Sequence, residues 1–412
     1  MIIKVKDSNQ KKSKLEHVVF LGESKFPFGL ASIQRMILMS KALIEEKLKI
    51  TVICRKGSLD PDLHANFPLK GEYENIAYIY TSGSIHKPPG FISRNLDKLI
   101  GIWREYLLLK RLARQNEIDI AILSNRKTIH ALRYLVLSRI YNFPLVLNLV
   151  ERASAMNDRG GLGRKINAWI FDHWLVPLFD AALPISNELS EFYLKKAPGK
   201  PFLKLPILCD FSKFDLPKTH NEDYFLYCGS LSYREVIDFI ISAYGLIEKE
   251  NLPKLYMIVS GETQSTLDNF RKEIANLFGS TQIRVFSNIP YTDLVNLYIN
   301  AKALLIPLRP TLQDTSRFPH KIGEYLASGN PIITTAVGEI NSYFKDNETA
   351  LIASEYQEHE FAKKLVYAMD NKKTAESIGI AGKKLGLREF DYRVHGKRLR
   401  SFLLDLQSNR KK

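Results

Sequence analysis

Little in this sequence supports a disulfide framework: its three cysteines, Cys54, Cys209 and Cys228, are odd in number and widely separated. They match no metal-ligand spacing either, so no metal site is expected, and a reducing, cytoplasmic compartment is. Long apolar runs are missing too. No uncharged stretch reaches the roughly 18 residues of a spanning helix, and the nearest approach, 134–150, is broken by Arg139, a proline and two asparagines. The opening M-I-I-K-V-K-D-S-N-Q-K-K-S-K is polar and basic, without the apolar core of a secretory leader, and reads as a flexible tail over 1–14. Acidic residues are scarce. The net charge is +15, and 87–170 alone holds 15 Lys and Arg against 6 Asp and Glu. Such a balance suits nucleic acid, an anionic membrane surface or anionic substrates. With no zinc-finger spacing, RNA-binding aromatic signature or helix-turn-helix pattern, nucleic acid is not an expected partner.

What is present is a globular composition, 45% hydrophobic and 25% charged over 412 residues, enough for two domains with separate cores. Strands and helices alternate. H-V-V-F-L (17–21) begins the series, a helix covers 30–46, and I-T-V-I-C returns as a strand. The alternation continues through 76–80, a helix over 93–115, I-D-I-A-I-L, a helix over 128–141, and F-P-L-V-L-N-L-V. A short strand at 180–185 ends at Ser186, placed to cap the next helix. An irregular polar stretch then marks a linker. A second alternating series starts with Y-F-L-Y-C (224–228) followed by Gly229-Ser230-Leu231, and the chain is helical from 356 to a basic amphipathic helix at about 393–407. Two successive βα series predict two doubly wound α/β domains facing across a cleft.

One stretch, 309–339, organises the second series. The strand A-L-L-I-P runs into a loop of turn formers, Pro319 suits a helix start, and Ile322, Tyr325 and Leu326 make an apolar stripe. His320, Lys321 and Glu324 share another face, Gly329 stops the helix, and I-I-T-T is a buried strand. A polar loop, a helix start and a lysine beyond a strand's carboxyl end form a site for an anion; an ordinary βαβ unit with solvated charges shares the pattern.

The run S-R-F-P-H-K-I-G-E-Y-L-A-S-G-N-P-I-I resembles the donor-binding signature of the group 1 glycosyltransferases, the large retaining family (family 4) with the GT-B fold. D-A-A-L-P-I-S and L-P-I-L-C-D-F-S-K-F resemble further family patterns. The resemblance implies a Rossmann-like N-terminal domain over 15–205 on the acceptor side, a linker at 206–222, a nucleotide-sugar domain over 223–390, and a helix at 391–412 packing back on the first domain. It implies a metal-independent hexosyltransferase without a cofactor, taking a nucleotide-diphosphate sugar as donor. In that chemistry the protein's main work is to neutralise a departing diphosphate with fixed cations and backbone N–H groups, and the leaving phosphate itself takes the acceptor's proton.

Residue by residue, the resemblance places Lys321 and Glu324, as catalytic residues, at the donor's diphosphate and ribose, and Gly29 in a first loop that approaches the donor. It places Glu151 near the reacting sugar; an ion pair with Arg152 or a loop arginine is the structural alternative. There are departures. Ser230 stands where the family carries an arginine after Gly229, Glu235 where it carries a lysine, and Ser316 where the first of two carboxylates is usual. Arg234, Arg317 and Lys321 are then the candidate cations, and the N–H groups of Arg317 and Phe318 candidate donors. A branch of the family has this S-x-x-P-x-K-x-x-E-Y form.

The combined reading is a sugar transfer to a glycan or lipid-linked acceptor in bacterial surface polysaccharide assembly. Basic and aromatic residues over 128–141 and 159–179 suit an anionic membrane surface, or else a core-facing stripe with a solvated back. A catalytically silent GT-B partner protein is the alternative that the departures favour.

Overall fold

The computed structural model describes residues 15–22, 25–29, 31–59, 67–155, 161–219, 222–260, 263–279 and 281–410. The expected tail at 1–14, like Arg159 and Gly160, lies outside them.

Strands β1 (His17–Leu21), β2 (Lys49–Cys54), β3 (Lys70–Tyr73), β4 (Ile76–Tyr80), β5 (Ile120–Leu123), β6 (Leu145–Leu149) and β7 (Ala181–Pro184) form one sheet, in the order β3-β4-β2-β1-β5-β6-β7. Every pairing is parallel except β3 with β4, a hairpin that turns on Glu74 and Asn75, both at positive φ. All residues of β1 and β5 are buried, as expected of central strands covered on both faces. The covering helices are α1 (Ala31–Glu45), α2 (Phe91–Arg114), α3 (Thr128–Ile140), α4 (Leu162–Ile170) and α5 (Asn187–Lys196). Ser186 caps α5, its Oγ accepting from the Leu189 N–H at 3.2 Å.

The second sheet is wholly parallel. It comprises β8 (Tyr224–Ser230), β9 (Lys254–Ser260), β10 (Ile283–Phe286), β11 (Ala303–Ile306), β12 (Ile332–Thr335) and β13 (Leu351–Ala353), in the order β10-β9-β8-β11-β12-β13. Its helices are α6 (Arg234–Gly245), α7 (Gln264–Phe278), α8 (Tyr291–Asn300), α9 (Leu312–Ser316), α10 (Lys321–Ser328), α11 (Ile340–Tyr343), α12 (Glu358–Asp370) and α13 (Lys372–Glu389). In each sheet the winding reverses beside the first strand, between β1 and β5 and between β8 and β11. Crevices for ligands open at the carboxyl ends of strands at such reversals.

The chain then returns to the first domain. Helix α14 (Gly396–Arg410) puts Leu399, Leu403 and Leu406 into the core cluster that holds Met36, Met39 and Leu43 of α1. Gly396 permits this approach, since a Cβ there would lie 2.8 Å from the Ala42 carbonyl oxygen. Tyr392 donates to Glu45 at 2.9 Å, and Arg410 meets Asp180 at 2.7 Å. The connecting segment is pinned as well. Asp210 binds Lys41 of α1 at 2.8 Å and Arg393 at 3.2 Å; burial disfavours its charge, but the Lys41 and Ser212 hydrogen bonds outweigh that and hold it at about 2.

Candidate active site

The loop from β11 to α10 is more structured than its turn formers suggest. Thr311 caps α9, its Oγ1 accepting from the Asp314 N–H at 3.3 Å. Asp314 is fully buried, and its carboxylate takes the Arg309 N–H and Nε, each at 2.9 Å, and Arg317 Nη2 at 2.7 Å. One carboxylate therefore aims two arginines. Arg309 reaches on to Glu235 at 2.7 Å, while Arg317 donates to the Tyr233 hydroxyl at 2.7 Å and lies over the Tyr233 ring. Asp314 sits two residues from Ser316, and it holds arginines rather than facing open space.

Ser316 and Phe318 fix the rest of the loop. The Ser316 carbonyl accepts from Ser186 Oγ at 2.5 Å, so the residue that caps α5 also ties the two domains together. The neighbouring Asn187 N–H donates to Glu339 at 2.6 Å, and Lys204 pairs with Glu339 at 2.6 Å. Phe318 is buried between the stacked Tyr343 ring and the edge-on Phe390 ring.

Helix α10 starts at Lys321, with His320 as the residue before it and Pro319 in the preceding turn. Ile322, Tyr325 and Leu326 are its buried stripe, and Gly329 ends it at φ 76°. Lys321 Nζ donates to Glu324 Oε2 and to the Tyr298 hydroxyl, both at 2.9 Å. Burial opposes the Lys321 charge, but Glu324 and Cys228 beside it raise its pKa, so the ammonium persists at neutral pH. His320 does not share a solvent face with these two. It turns towards the linker and Arg35, and burial followed by the charges of Arg35 and Lys321 lowers its pKa to about 3. Arg35 is fully buried and donates to the carbonyls of Leu205 and Pro206 at 2.7 and 2.5 Å.

Strand β8 runs on through Gly229 to Ser230, paired with Ser260. A Cβ on Gly229 would meet the Tyr227 hydroxyl at 2.3 Å, so the glycine keeps the strand end clear. The Ser230 and Ser232 hydroxyls are 2.9 Å apart. Arg234 takes another direction: it pairs with Asp238 at 2.6 Å and with Glu273, over the Phe270 ring.

The remaining two residues belong to the first domain. Glu151 pairs with the loop residue Arg126, whereas Arg152 pairs with Glu188 at 3.1 Å. Gly29 precedes α1, and a Cβ there would lie 2.0 Å from Ile33 Cγ1. Beside Glu151 opens a cavity of about 860 Å³ lined by Ser124, Arg126, Lys127, Asn148, Val150 and α4. Lys321, Glu324, Arg317, Ser316 and the Cys228–Ser230 strand end thus gather about β8 and β11. Among the described residues no three His, Cys, Asp or Glu side chains group as metal ligands, and no helix is long and apolar enough to cross a membrane. Sequence reasoning missed Arg309, Tyr233 and Tyr298, because their partners lie up to 84 residues away.

Two parallel-sheet domains, with charged residues at the crevice and a helix returning to the first domain, define a GT-B protein. Residues 210–385 match the model of the family described as glycosyl transferases group 1. That match covers the second domain, and the fold of the whole chain is that of the GT-B glycosyltransferases. A sucrose-phosphate synthase from Thermosynechococcus elongatus superposes with a TM-score of 0.76 at 14% identity, over 96% of this chain and 100% of that one. Anabaena HepE in complex with UDP-glucose does so at 0.69 and 12% identity, over 94% and 99%. The lipopolysaccharide outer core galactosyltransferase WaaB, in its apo form, gives 0.58 at 14% identity, over 94% and 99%. No curated protein sequence matches the chain.

Proposed function

We propose that the protein is a retaining glycosyltransferase that moves a hexose from a nucleotide-diphosphate sugar to a glycan or lipid-linked acceptor, in the assembly of a bacterial surface polysaccharide. The observation that carries this reading is the Lys321–Glu324 pair at the start of α10, beside the end of β8 and one turn from Arg317. Lys321 and Arg317 supply the fixed positive charge for the departing diphosphate, a role that requires no metal. Glu324 accepts from the ribose hydroxyls, and the backbone about Gly229, Ser230, Ser316 and Phe318 lines the donor. Arg234 would have to leave two ion pairs to reach it, so the diphosphate charge falls first to Arg317 and Lys321. Glu151 stands near the reacting sugar, and Gly29 lets the backbone of the first loop approach the donor. The transition state is oxocarbenium-like, and the leaving phosphate takes the acceptor's proton on the same face of the sugar.

The UDP-glucose complex of HepE makes UDP-sugars the first donors to try. A donor screen of the purified protein, read as nucleotide release, tests the reading. Release with one donor, undiminished by a chelator, supports it; no release with UDP-, GDP- or ADP-sugars in the presence of membrane extract overturns it. We further propose that the enzyme works at the inner face of the cytoplasmic membrane.

A second reading, a catalytically silent partner in an assembly complex, is favoured by the Glu235–Arg309 pair, an acid where the resemblance implies a lysine. Nucleotide titration separates the two. A ligand at about 100 times its Kd adds roughly 2.7 kcal/mol of stability, so a flat thermal unfolding curve in millimolar nucleotide favours silence.

A further inference from the structure

The first domain carries a second concentration of positive charge, far from Lys321 in sequence. Arg55 follows β2, is 6% exposed, and donates Nη2 to His130 Nε2 at 3.0 Å. His130 is thereby the neutral acceptor. Burial, then the charges of Arg55, Arg133, Lys127 and Lys56, lower its pKa to about 4. Lys56 is lowered as well, by burial and then by Lys127, Arg55, Lys98 and Lys25. The carboxylates beside this cluster are already engaged. Glu105 is fully buried against Arg133 and the Tyr134 hydroxyl, Asp97 takes the backbone N–H groups of Gly57 and Gly83, and Glu151 is held by Arg126. Holding like charges together without carboxylates is costly unless an anion joins them.

This cluster opens onto two apolar features. Lys127 and the 69%-exposed Ile129 belong both to its edge and to the wall of the 860 Å³ cavity. Helices α2, α3 and α4 around it each turn an apolar stripe outward. On α2, Ile92, Leu96, Leu99 and Trp103 recur at helical spacing and are 82, 56, 64 and 61% exposed. On α3, Val136 and Ile140 follow Ile129, and α4 adds Ile166 and Trp169. All three tryptophans of the chain, Trp103, Trp169 and Trp174, are exposed here. Apolar stripes edged by Arg94, Lys98, Arg104, Arg139 and Lys165 suit insertion at an anionic lipid interface.

We propose that the cavity and the Arg55–Lys56–Lys127 cluster bind the phosphate or diphosphate of a lipid-linked acceptor, whose hydrocarbon chain lies along the outward faces of α2, α3 and α4. The phosphate is held and does not react; it presents the acceptor's hydroxyl to the crevice. This rests on the transferase reading and narrows its acceptor to an anionic lipid. An ordinary phospholipid headgroup or free inorganic phosphate offers the same chemistry, and the test separates these sources.

The experiment follows tryptophan fluorescence of the full chain with phosphatidylcholine vesicles doped either with a polyprenyl phosphate or with phosphatidylglycerol at equal charge. The expected result is a blue shift with both, and binding about tenfold tighter to the polyprenyl phosphate. In Lys56→Gln/Lys127→Gln that preference disappears, while the unfolding temperature and its rise with UDP are kept. Equal affinity for the two vesicles overturns the acceptor site and leaves only a membrane-facing surface. Competition by inorganic phosphate as strong as by polyprenyl phosphate overturns the lipid assignment, and no blue shift with either vesicle overturns the whole proposal. Loss of the UDP response in the unmutated protein, with the lipid preference intact, counts against the transferase reading instead.

Discussion

Arg309 Nη1 lies 2.7 Å from Glu235 Oε2, so the acid in the first turn of α6 is met by an arginine from the loop after β11. The same Arg309 grips the fully buried Asp314, which also holds Arg317.

Glu235 is 79% exposed and Arg309 is 13% exposed, so the two ends of this pair should respond differently to mutation. Glu235→Gln is expected to leave the unfolding temperature unchanged and to tighten nucleotide-diphosphate binding a few-fold, the scale of an exposed charge contact. Arg309→Ala leaves the buried Asp314 one arginine short and is expected to cost about 2–4 kcal/mol. Adding Asp314→Asn should recover part of that loss in thermal unfolding; an additive double mutant would contradict the pairing.

Lys321→Met and Glu324→Gln each remove one side of the pair at α10, whose apolar stripe is untouched. Turnover is expected to fall on the order of 10²-fold for Lys321→Met, as when a fixed charge stabilising the leaving group is lost. Glu324→Gln should act mainly on donor KM. Circular dichroism should be unchanged, and wild-type kinetics in both would remove these residues from the site.

His320 makes stability fall in acid. Its folded pKa is about 3, while the unfolded chain takes up the proton near 6.5. Between those values the unfolded state binds more protons, so stability rises with pH across the window and is lost as pH falls. By pH 5 the loss from this group is on the order of 2 kcal/mol. The unfolding temperature of His320→Gln should therefore change less between pH 7 and 5 than that of the unmutated protein, and parallel curves would sink this account.

Gly379, inside α13, is a position where alanine should harm rather than help. A Cβ there would stand 2.5 Å from the Gly329 carbonyl oxygen and 2.6 Å from the Asn330 carbonyl carbon. Alanine normally favours a helix interior over glycine by about 0.5–1 kcal/mol, but backbone atoms cannot yield to it here. Gly379→Ala is expected to lower the unfolding temperature and, by displacing the turn that ends α10, to weaken nucleotide binding. A stabilised variant would show that this contact is loose.

Much of the architecture is legible in local pattern. Continuous apolar runs mark β1, β5, β8 and β11, the Ile322–Tyr325–Leu326 stripe marks α10, and Gly329 marks its end. The exceptions have physical causes. Strand β3, K-G-E-Y, is exposed along most of its length and has no apolar face to read; it exists because β4 offers it an edge. The short helix α9 looks like loop until the buried Asp314 gives it a reason to turn. His320 shares a helical face with Lys321 on paper, yet it precedes the helix and is drawn under the linker.

The charged residues divide in the same way. Lys321 and Glu324 are three apart, and helix geometry brings them together wherever the segment folds. Arg309 with Glu235, Ser186 with Ser316, and Arg55 with His130 are 74, 130 and 75 residues apart, and no local spacing encodes them. Short-range periodicity was therefore enough to specify two βα domains and one lysine–glutamate pair. Which arginines the buried Asp314 holds, how the domains are tied, and where the second positive cluster lies came from packing between distant segments, since charges meet through space and not along the chain.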